Sequence, residues 1–261
     1  MLENEVTTAA IGVGKNVAED LIRPTSKTIG ENLGLLVDGV MGWLGYWGQK
    51  QALKREVYLA DYKQKIVEKV LGVPEEQLQE PPIRIVGPAI EASKFHIEEQ
   101  EFRDMFAELV ASACNKEYLN RVHPAFPEII KQLSHVDVKF LEIFRRTRTI
   151  PCCEIYAQHN DQKITPCSHM LFDFKDCLNS FPQGDDLVLT ESVDNLSRLG
   201  VVFKNSSVIE LGYNYEQFKE HWLYEMMLKT MSVECEIKIR KYRIELTQLG
   251  EDFVACCFGE N

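Results

Sequence analysis

Apolar residues recur every three or four positions through most of the first half of the chain, which is the spacing of amphipathic helices. The most regular of these segments is charged on its other side, and Gly72 and Pro74 mark its end. The sequence VPEEQLQEPP that follows predicts a linker. The pattern predicts helices over residues 3–22, 49–72, 84–96 and 99–116.

An apolar segment that is unusually rich in glycine, residues 28–48, lies between the first two predicted helices. Thr28 and Glu31 have the spacing of a capping box, which predicts that a helix begins here. Each glycine costs a helix about 1 kcal/mol relative to alanine, so this composition indicates a helix that its neighbours approach closely. The close-packing positions are Gly30, Gly34, Gly39, Gly42, Gly45 and Gly48.

Two interpretations of this glycine-rich segment stay open. In the first, it is a helix of the protein core. In the second, it contacts a membrane or a partner protein, for which Trp43, Tyr46 and Trp47 are suitable side chains. A permanent transmembrane span is disfavoured, because residues 33–48 number only 16 and include Asp38. The two interpretations are compatible if the helix is buried at rest and a trigger releases it.

Beyond Pro151 the pattern changes to shorter segments, many of them rich in β-branched residues. Residues 152–175 predict a β-hairpin, and residues 215–231 predict a further helix. The sequences LTESVDNLSRLGVVF and IKIRKYRIELTQLGEDF predict helix–strand and strand–helix pairs, an order typical of winged-helix domains. The expected fold is therefore mainly α with a small α+β part. It comprises a helical region, residues 1–133, and a winged-helix-like domain, residues 134–261, with inserted segments at 152–183 and 205–235.

The charge of the chain argues against a nucleic-acid partner. The net charge is −11, with 15 basic and 20 acidic residues up to Leu133 and 14 and 20 after it. A DNA-binding surface needs clustered lysine and arginine, but Arg198 is the only basic residue of TESVDNLSRLG, the helix that would enter the groove. We expect this helix, which also carries Asn195, to serve in packing or protein contact. The alternating basic run at 238–243 is expected to form a solvated edge strand.

The eight cysteines include no CxxC pair, which favours reduced thiols used as small apolar residues. The first 15 residues lack the basic stretch of a secretory signal peptide, so we expect a cytoplasmic protein. One group of possible zinc ligands has no recognised spacing, and we interpret its members as buried thiols and surface histidines. These residues are Cys152, Cys153, His159, Cys167 and His169. No metal or cofactor is expected.

No catalytic residue can be named from the sequence. GVGK at 12–15 is not a phosphate-binding loop, because Ala9 and Asn16 replace the required glycine and hydroxyl residue. No GxSxG or HExxH motif is present. The acidic residues at 98–101 fit the start of a helix, and His123 before a proline fits a turn. The sequence therefore favours a non-enzymatic protein, while an enzyme with an unrecognised site stays open.

Several motifs together resemble the abortive-infection alpha family of bacterial proteins. They are IGENLGLLVDGVMGWLG, EPPIRIVGPAIEAS, EEQEFRDMFAELVASACN, HPAFPEIIKQLSHVDVKFLEIF, DNLSRLGVVF and IELTQLGEDFVACC. The resemblance covers most of residues 25–258 and implies defence against phage by halting or killing the infected cell. It implies no active site and no mechanism.

Two functional hypotheses follow from this resemblance together with the glycine-rich segment. The first is an effector whose N-terminal helices act on the membrane or on a partner when they are released. It implies peripheral association with the inner membrane on activation. The second is an adaptor or sensor that docks through the winged-helix-like domain. Both imply a protein partner or a phage trigger, and both leave the oligomeric state open.

Overall fold

The computed structural model describes residues 29, 32, 33, 37, 49–160, 162–172, 186–207, 209–210, 212–231 and 235–259. The chain divides into two compact units. The first groups Met1–Gln132 with Ala255–Gly259, and the second is Leu133–Val254. The last turn of the C-terminal helix therefore belongs with the first unit, although the rest of that helix belongs with the second.

The described part of the first unit is helical. Its elements are α1 (Gln49–Leu71), α2 (Ile83–Ser93), α3 (Gln100–Ala113), a 3₁₀ turn (Lys116–Tyr118) and α4 (Phe126–Ile130). α1 ends as predicted at Gly72, whose N–H donates to the carbonyl of Glu68 at 3.1 Å. α3 is the most buried of these helices, with Phe102, Phe106 and Leu109 in the core. The helices predicted at 49–72, 84–96 and 99–116 are confirmed.

The second unit mixes helices and strands. Its elements are α5 (His135–Ile143), β1 (Thr149–His159), β2 (Ile164–Phe172), α6 (Asp186–Arg198), β3 (Val202–Asn205), a 3₁₀ turn (Tyr215–Glu220), α7 (Trp222–Thr230), β4 (Cys235–Leu246) and α8 (Gln248–Phe258). α5 begins with a capping box, in which the Ser134 N–H donates to Asp137 at 2.7 Å and the Asp137 N–H donates to the Ser134 hydroxyl. The predicted hairpin is β1 and β2, and the expected α+β character is confirmed.

The strands form an antiparallel sheet in the order β2-β1-β4-β3 among the described residues. β1 and β4 pair along their length, from Thr149 with Glu245 to His159 with Cys235. β3 pairs only with residues 243–246, so the expected edge strand is in fact an inner strand there. Among the described residues, only β1 pairs with residues 235–242 of β4.

Helices cover the sheet on two sides. On one face, β1 and β2 pack against the 3₁₀ turn and α7, and Ile155, Phe218 and Leu223 lie in the shared core. On the other face, α6 packs on β2, β3 and α5. There the ring centroids of Phe140 in α5 and Phe172 in β2 are 6.0 Å apart. The element order α6, β3, β4, α8 is the predicted one, with the 3₁₀ turn and α7 inserted between the strands. The winged-helix-like classification stays a prediction.

Candidate functional site

The start of the glycine-rich segment is buried on one side. Ile29, Leu33 and Val37 are helical and buried, while Asn32 is helical and exposed. Burial at every fourth position is the pattern of a helix packed along one stripe. At these positions the segment has the character of a core helix. The predicted contact residues Asp38, Trp43, Tyr46 and Trp47 lie outside the described residues, as do Gly30, Gly34, Gly39, Gly42, Gly45 and Gly48.

α1, which follows this segment, has an exposed part and an anchored part. Glu56, Val57 and Ala60 are exposed, and Val57 keeps 66% of its surface accessible. One turn later the pattern reverses, because Tyr62, Ile66 and Val70 are buried at four-residue spacing. Since burying one large apolar side chain contributes roughly 1.5–3 kcal/mol, residues from Asp61 onward hold α1 in place.

Three ion pairs join the anchored part of α1 to α3, and we call this row the α1–α3 seam. They are Asp61–Arg103, Lys65–Asp104 and Lys69–Glu108. In the first pair the acidic residue belongs to α1, whereas in the other two pairs it belongs to α3. This order of charges favours one alignment of the two helices. Partly exposed ion pairs contribute only about 0.2–1 kcal/mol each. The seam therefore selects the register of α1 on α3, while the buried apolar residues supply most of the binding free energy.

Arg103 is the most buried charge of the seam. Its Nε donates to Asp61 Oδ2 at 2.9 Å, and its Nη1 donates to the carbonyl of Ile97 at 2.6 Å. The guanidinium carbon also lies 4.9 Å from the centre of the Tyr58 ring, a cation–π distance. Arg103 thus contacts α1 on both sides of the boundary between its exposed and anchored parts.

The last turn of α8 also contacts α3. The Ser112 hydroxyl donates to the carbonyl of Cys256 at 3.1 Å. Gly259 follows the helix with a φ of 74°, and a side chain there would lie 3.2 Å from the Glu108 carboxylate. Glu108 is therefore shared between the seam and the C-terminal turn, and α3 is the central helix of the first unit.

The group of possible zinc ligands does not form one site. Cys152 and Cys153 are buried on opposite faces of β1, where they pair with Tyr242 and Lys241. His159 lies at the far end of the strand, with Nδ1 3.0 Å from Cys235 Sγ. The side chains of Cys167 and His169 lie outside the described residues. Among the described side chains, no three His, Cys, Asp or Glu residues are placed to hold a metal ion.

The contact between His159 and Cys235 is a feature that sequence reasoning missed. The two residues are paired across β1 and β4 but lie far apart in the chain. No local spacing signals such a pair, since it depends on the register of two strands. The only sign in the sequence was the strand pattern that begins near residue 235.

The helix considered for DNA reading uses three of its polar side chains for contacts inside the second unit. Ser192 Oγ and Asn195 Nδ2 donate to the two oxygens of Asp137, at 2.5 and 2.9 Å. Arg198 donates to Asn195 Oδ1 at 2.7 Å. The Thr190 hydroxyl accepts from the N–H of Met170 at 2.9 Å. These contacts are those of a helix used for packing.

Among the helices that the structure describes, none combines the length and apolar character needed to cross a bilayer. No curated protein matches the chain. One solved structure, an uncharacterized protein from the hydrocarbon-degrading marine bacterium Alcanivorax borkumensis SK2, is similar at 10% identity with a TM-score of 0.35. The similarity covers 54% of this chain and 94% of the other. The sequence model of the abortive infection alpha family matches residues 54–257, most of the chain, and the protein is therefore a member of that family.

Proposed function

We propose that this protein is a phage-defence effector that aborts infection through its glycine-rich segment, which the first unit keeps buried until infection releases it. Family membership supports the defence role. The observation that carries the release step is the division of α1. An anchored part begins at Asp61, and Glu56, Val57 and Ala60 before it are exposed.

This division allows release without unfolding the core. Tyr62, Ile66 and Val70 stay buried while the chain before them moves, so the cost of release is limited to the contacts of the segment itself. The seam sets how α1 lies on α3, and therefore where the segment begins. Because each ion pair is weak, a change of charge in the seam alters the position of α1 on α3 without removing its buried apolar contacts.

The released segment would then meet a membrane or a partner. Its tryptophans and tyrosine suit a bilayer interface, and its glycines allow close helix contact. We test action on the membrane first, because a loss of membrane potential can be measured directly.

Reversing charges in the α1–α3 seam tests the release step. In Lys65→Glu/Lys69→Glu, two acidic side chains face Asp104 and Glu108, and like charges at these positions repel. Cells that express this variant should lose membrane potential and stop growing without phage. Adding Asp104→Lys and Glu108→Lys restores opposite charges and should restore dependence on phage.

The matched control is Lys131→Glu/Lys229→Glu. It changes the net charge by the same amount at two exposed lysines, each paired with a glutamate three or four positions earlier in the chain. It should behave as wild type. A folded seam variant that also behaves as wild type would refute the release step. Protection by the wild type with unchanged membrane potential would refute membrane action and leave the partner version.

A second candidate is an adaptor that docks a protein partner. It is favoured by the outer side of α7, where Trp222 and Met226 lie one turn apart and are 55% and 42% exposed. Tryptophan and methionine are enriched at protein interfaces. Trp222→Ala/Met226→Ala should then abolish defence, while Glu225→Ala/Lys229→Ala on the same helix should not. Full defence by the tryptophan variant would exclude this surface.

A further inference from the structure

β4 has a short edge at which no strand is paired among the described residues. β1 pairs with the whole of β4, whereas β3 pairs only with residues 243–246. β3 ends at Asn205, whose side-chain oxygen accepts from the Ser207 N–H at 3.0 Å, the hydrogen bond of an Asx turn. Residues 238–242 of β4 therefore have β1 on one side and this edge on the other, and we call this stretch the β4 edge.

The strand register shows which backbone groups line the β4 edge. The Thr247 N–H donates to the carbonyl of Val201 at 3.0 Å, so these two residues form a hydrogen-bonded pair. Hydrogen-bonded pairs recur at every second residue of an antiparallel ladder, and Thr247 continues the register of β4 with β3. The odd-numbered residues of β4 therefore direct their N–H and C=O groups away from β1. Within the β4 edge these residues are Ile239 and Lys241, which supply two donors and two acceptors.

The β4 edge is closed at both ends. At one end Arg243 pairs with Asn205 of β3. At the other end the carbonyl of Ile237 accepts a hydrogen bond of 3.2 Å from the hydroxyl of Tyr224 in α7. The stretch between these residues spans about 17 Å at 3.4 Å per residue. Its length is suited to an extended segment of about five residues.

The side chains of the β4 edge are basic on one face of the sheet. Ile239 packs against the apolar cluster shared with α7, and Lys238 and Arg240 lie on the opposite face of β4. Their ion pairs are partly exposed, with Lys238 Nζ 3.0 Å from Glu236 and Arg240 Nη1 3.8 Å from Glu154. Such pairs contribute only about 0.2–1 kcal/mol each, so an incoming carboxylate can compete for these cations.

We propose that the β4 edge binds an extended acidic segment of a partner protein, which joins the sheet as an additional strand. The backbone groups of Ile239 and Lys241 supply the hydrogen bonds, as in other cases of strand addition. One face of the segment places an apolar side chain beside Ile239, and the other places carboxylates beside Lys238 and Arg240. This interaction is separate from the release step proposed above, and neither depends on the other.

Charge favours such a partner over a second copy of this chain. Two β4 edges that met around a two-fold axis would run antiparallel, and an axis centred on Ile239 would place each Lys238 opposite an Arg240. Like charges directly opposite each other destabilise a strand pair. Lys241, on the other face, adds a third positive charge and is paired at 3.5 Å with Glu216. An acidic segment is therefore attracted where a second copy would be repelled.

The test adds short labelled peptides to the full-length protein and follows binding by fluorescence anisotropy. In the first peptide valine alternates with glutamate, and in the second lysine replaces glutamate. The glutamate peptide should bind about tenfold more tightly, because its carboxylates face Lys238 and Arg240. Methylating the valine nitrogens removes the donors to the carbonyls of Ile239 and Lys241 and should weaken binding about tenfold. Methylating the glutamate nitrogens, which point away from β4, should leave binding unchanged.

Amide hydrogen exchange then locates the bound peptide. The N–H groups of Ile239 and Lys241 should exchange more slowly in the complex, because the peptide becomes their acceptor. Those of Lys238 and Arg240 face β1 and should be unchanged. Binding that leaves Ile239 and Lys241 unprotected would place the peptide elsewhere and overturn the proposal. A wild-type dimer in which these two groups are already protected would also overturn it, since a second copy would then occupy the edge.

Lys238→Glu/Arg240→Glu should reverse the preference and favour the lysine peptide. The matched control is Lys116→Glu/Lys131→Glu, which makes the same change of net charge at two exposed lysines of the first unit and should keep the wild-type preference. The proposal is wrong if neither peptide binds the wild type, because the basic residues would then serve only to keep other strands away. The peptide comparison on the wild type decides the matter even if the charge-reversed variant does not fold.

Discussion

The Ser192 hydroxyl donates a hydrogen bond of 2.5 Å to Asp137 Oδ1 inside the second unit, where both residues are buried. The other carboxylate oxygen accepts from Asn195 and from the backbone N–H of Ser134. The Asp137 carboxylate thus accepts the backbone hydrogen bond at the start of α5 and also holds α6 against α5. Hydrogen bonds to a buried charge are worth more than those between neutral groups.

Asp137→Ala should lower the free energy of unfolding by about 3 kcal/mol, because it removes the acceptor and leaves buried donors without one. Urea denaturation measures the loss. Asp194→Ala, at an exposed position of α6, should change stability by less than about 0.5 kcal/mol. Equal losses in the two variants would contradict the role assigned to Asp137.

Two glycines should respond differently to alanine. A methyl group at Gly250 of α8 would lie 2.0 Å from the carbonyl oxygen of Val201, so the helix must move away from the start of β3. Gly250→Ala should cost more than about 2 kcal/mol. At Gly87 in α2 nothing apart from its chain neighbours lies within 4 Å, and the gain in helix propensity is opposed by the ring of Pro88, so Gly87→Ala should change stability by less than about 1 kcal/mol. Thermal unfolding of the two variants distinguishes a close approach from a general effect of glycine.

The features that could be predicted from the sequence are those set by residues close together in the chain. α1 was placed within one residue of its observed end, because its apolar stripe is regular and Gly72 stops it. The hairpin predicted at 152–175 is a local feature too. Five of the six cysteines whose side chains the structure describes are buried, as expected for thiols used as small apolar residues.

The sequence could not predict contacts that depend on long-range register. Asp137 meets Ser192 only once α6 packs on α5, and Cys235 meets His159 only once β4 pairs with β1. Neither pair has a recognisable spacing along the chain. The same limit applies to the seam, because its charges look like an ordinary solvated helix face until α3 is placed against them.

Tyr215 fastens the inserted region between β3 and β4 to the sheet. Its hydroxyl donates to the carbonyl of Tyr242 at 2.9 Å and accepts from the N–H of Glu210 at 3.2 Å. Tyr215→Phe should lower the free energy of unfolding by about 1–2 kcal/mol, because it removes both bonds. Tyr156→Phe is the control, since the Tyr156 ring lies under Arg240 on the opposite face of β1. A larger loss in Tyr156→Phe, measured by urea denaturation, would refute this assignment.

The buried thiols make stability fall at alkaline pH. Burial raises the pKa of Cys114 and of Cys153 from an ordinary value near 9.0 to about 12. In the unfolded chain these thiols ionise above about pH 9, whereas in the folded protein they stay neutral. The unfolded state then binds fewer protons, so the free energy of unfolding decreases as pH rises from about 9 to 12.

Each of these thiols should contribute up to about 1.4 kcal/mol per pH unit to that decrease. Cys114→Ala/Cys153→Ala should be less stable than wild type at pH 8, and the difference should shrink between pH 9 and pH 11. Lysines and tyrosines titrate in both proteins, so their contributions cancel in the comparison. Urea denaturation under reducing conditions gives the two slopes. Val110→Ala removes buried volume from α3, the helix that Cys114 follows, without removing a titratable group, and its difference from wild type should stay constant with pH. A double variant that loses stability as steeply as wild type would mean that ionisation of these thiols is not coupled to unfolding.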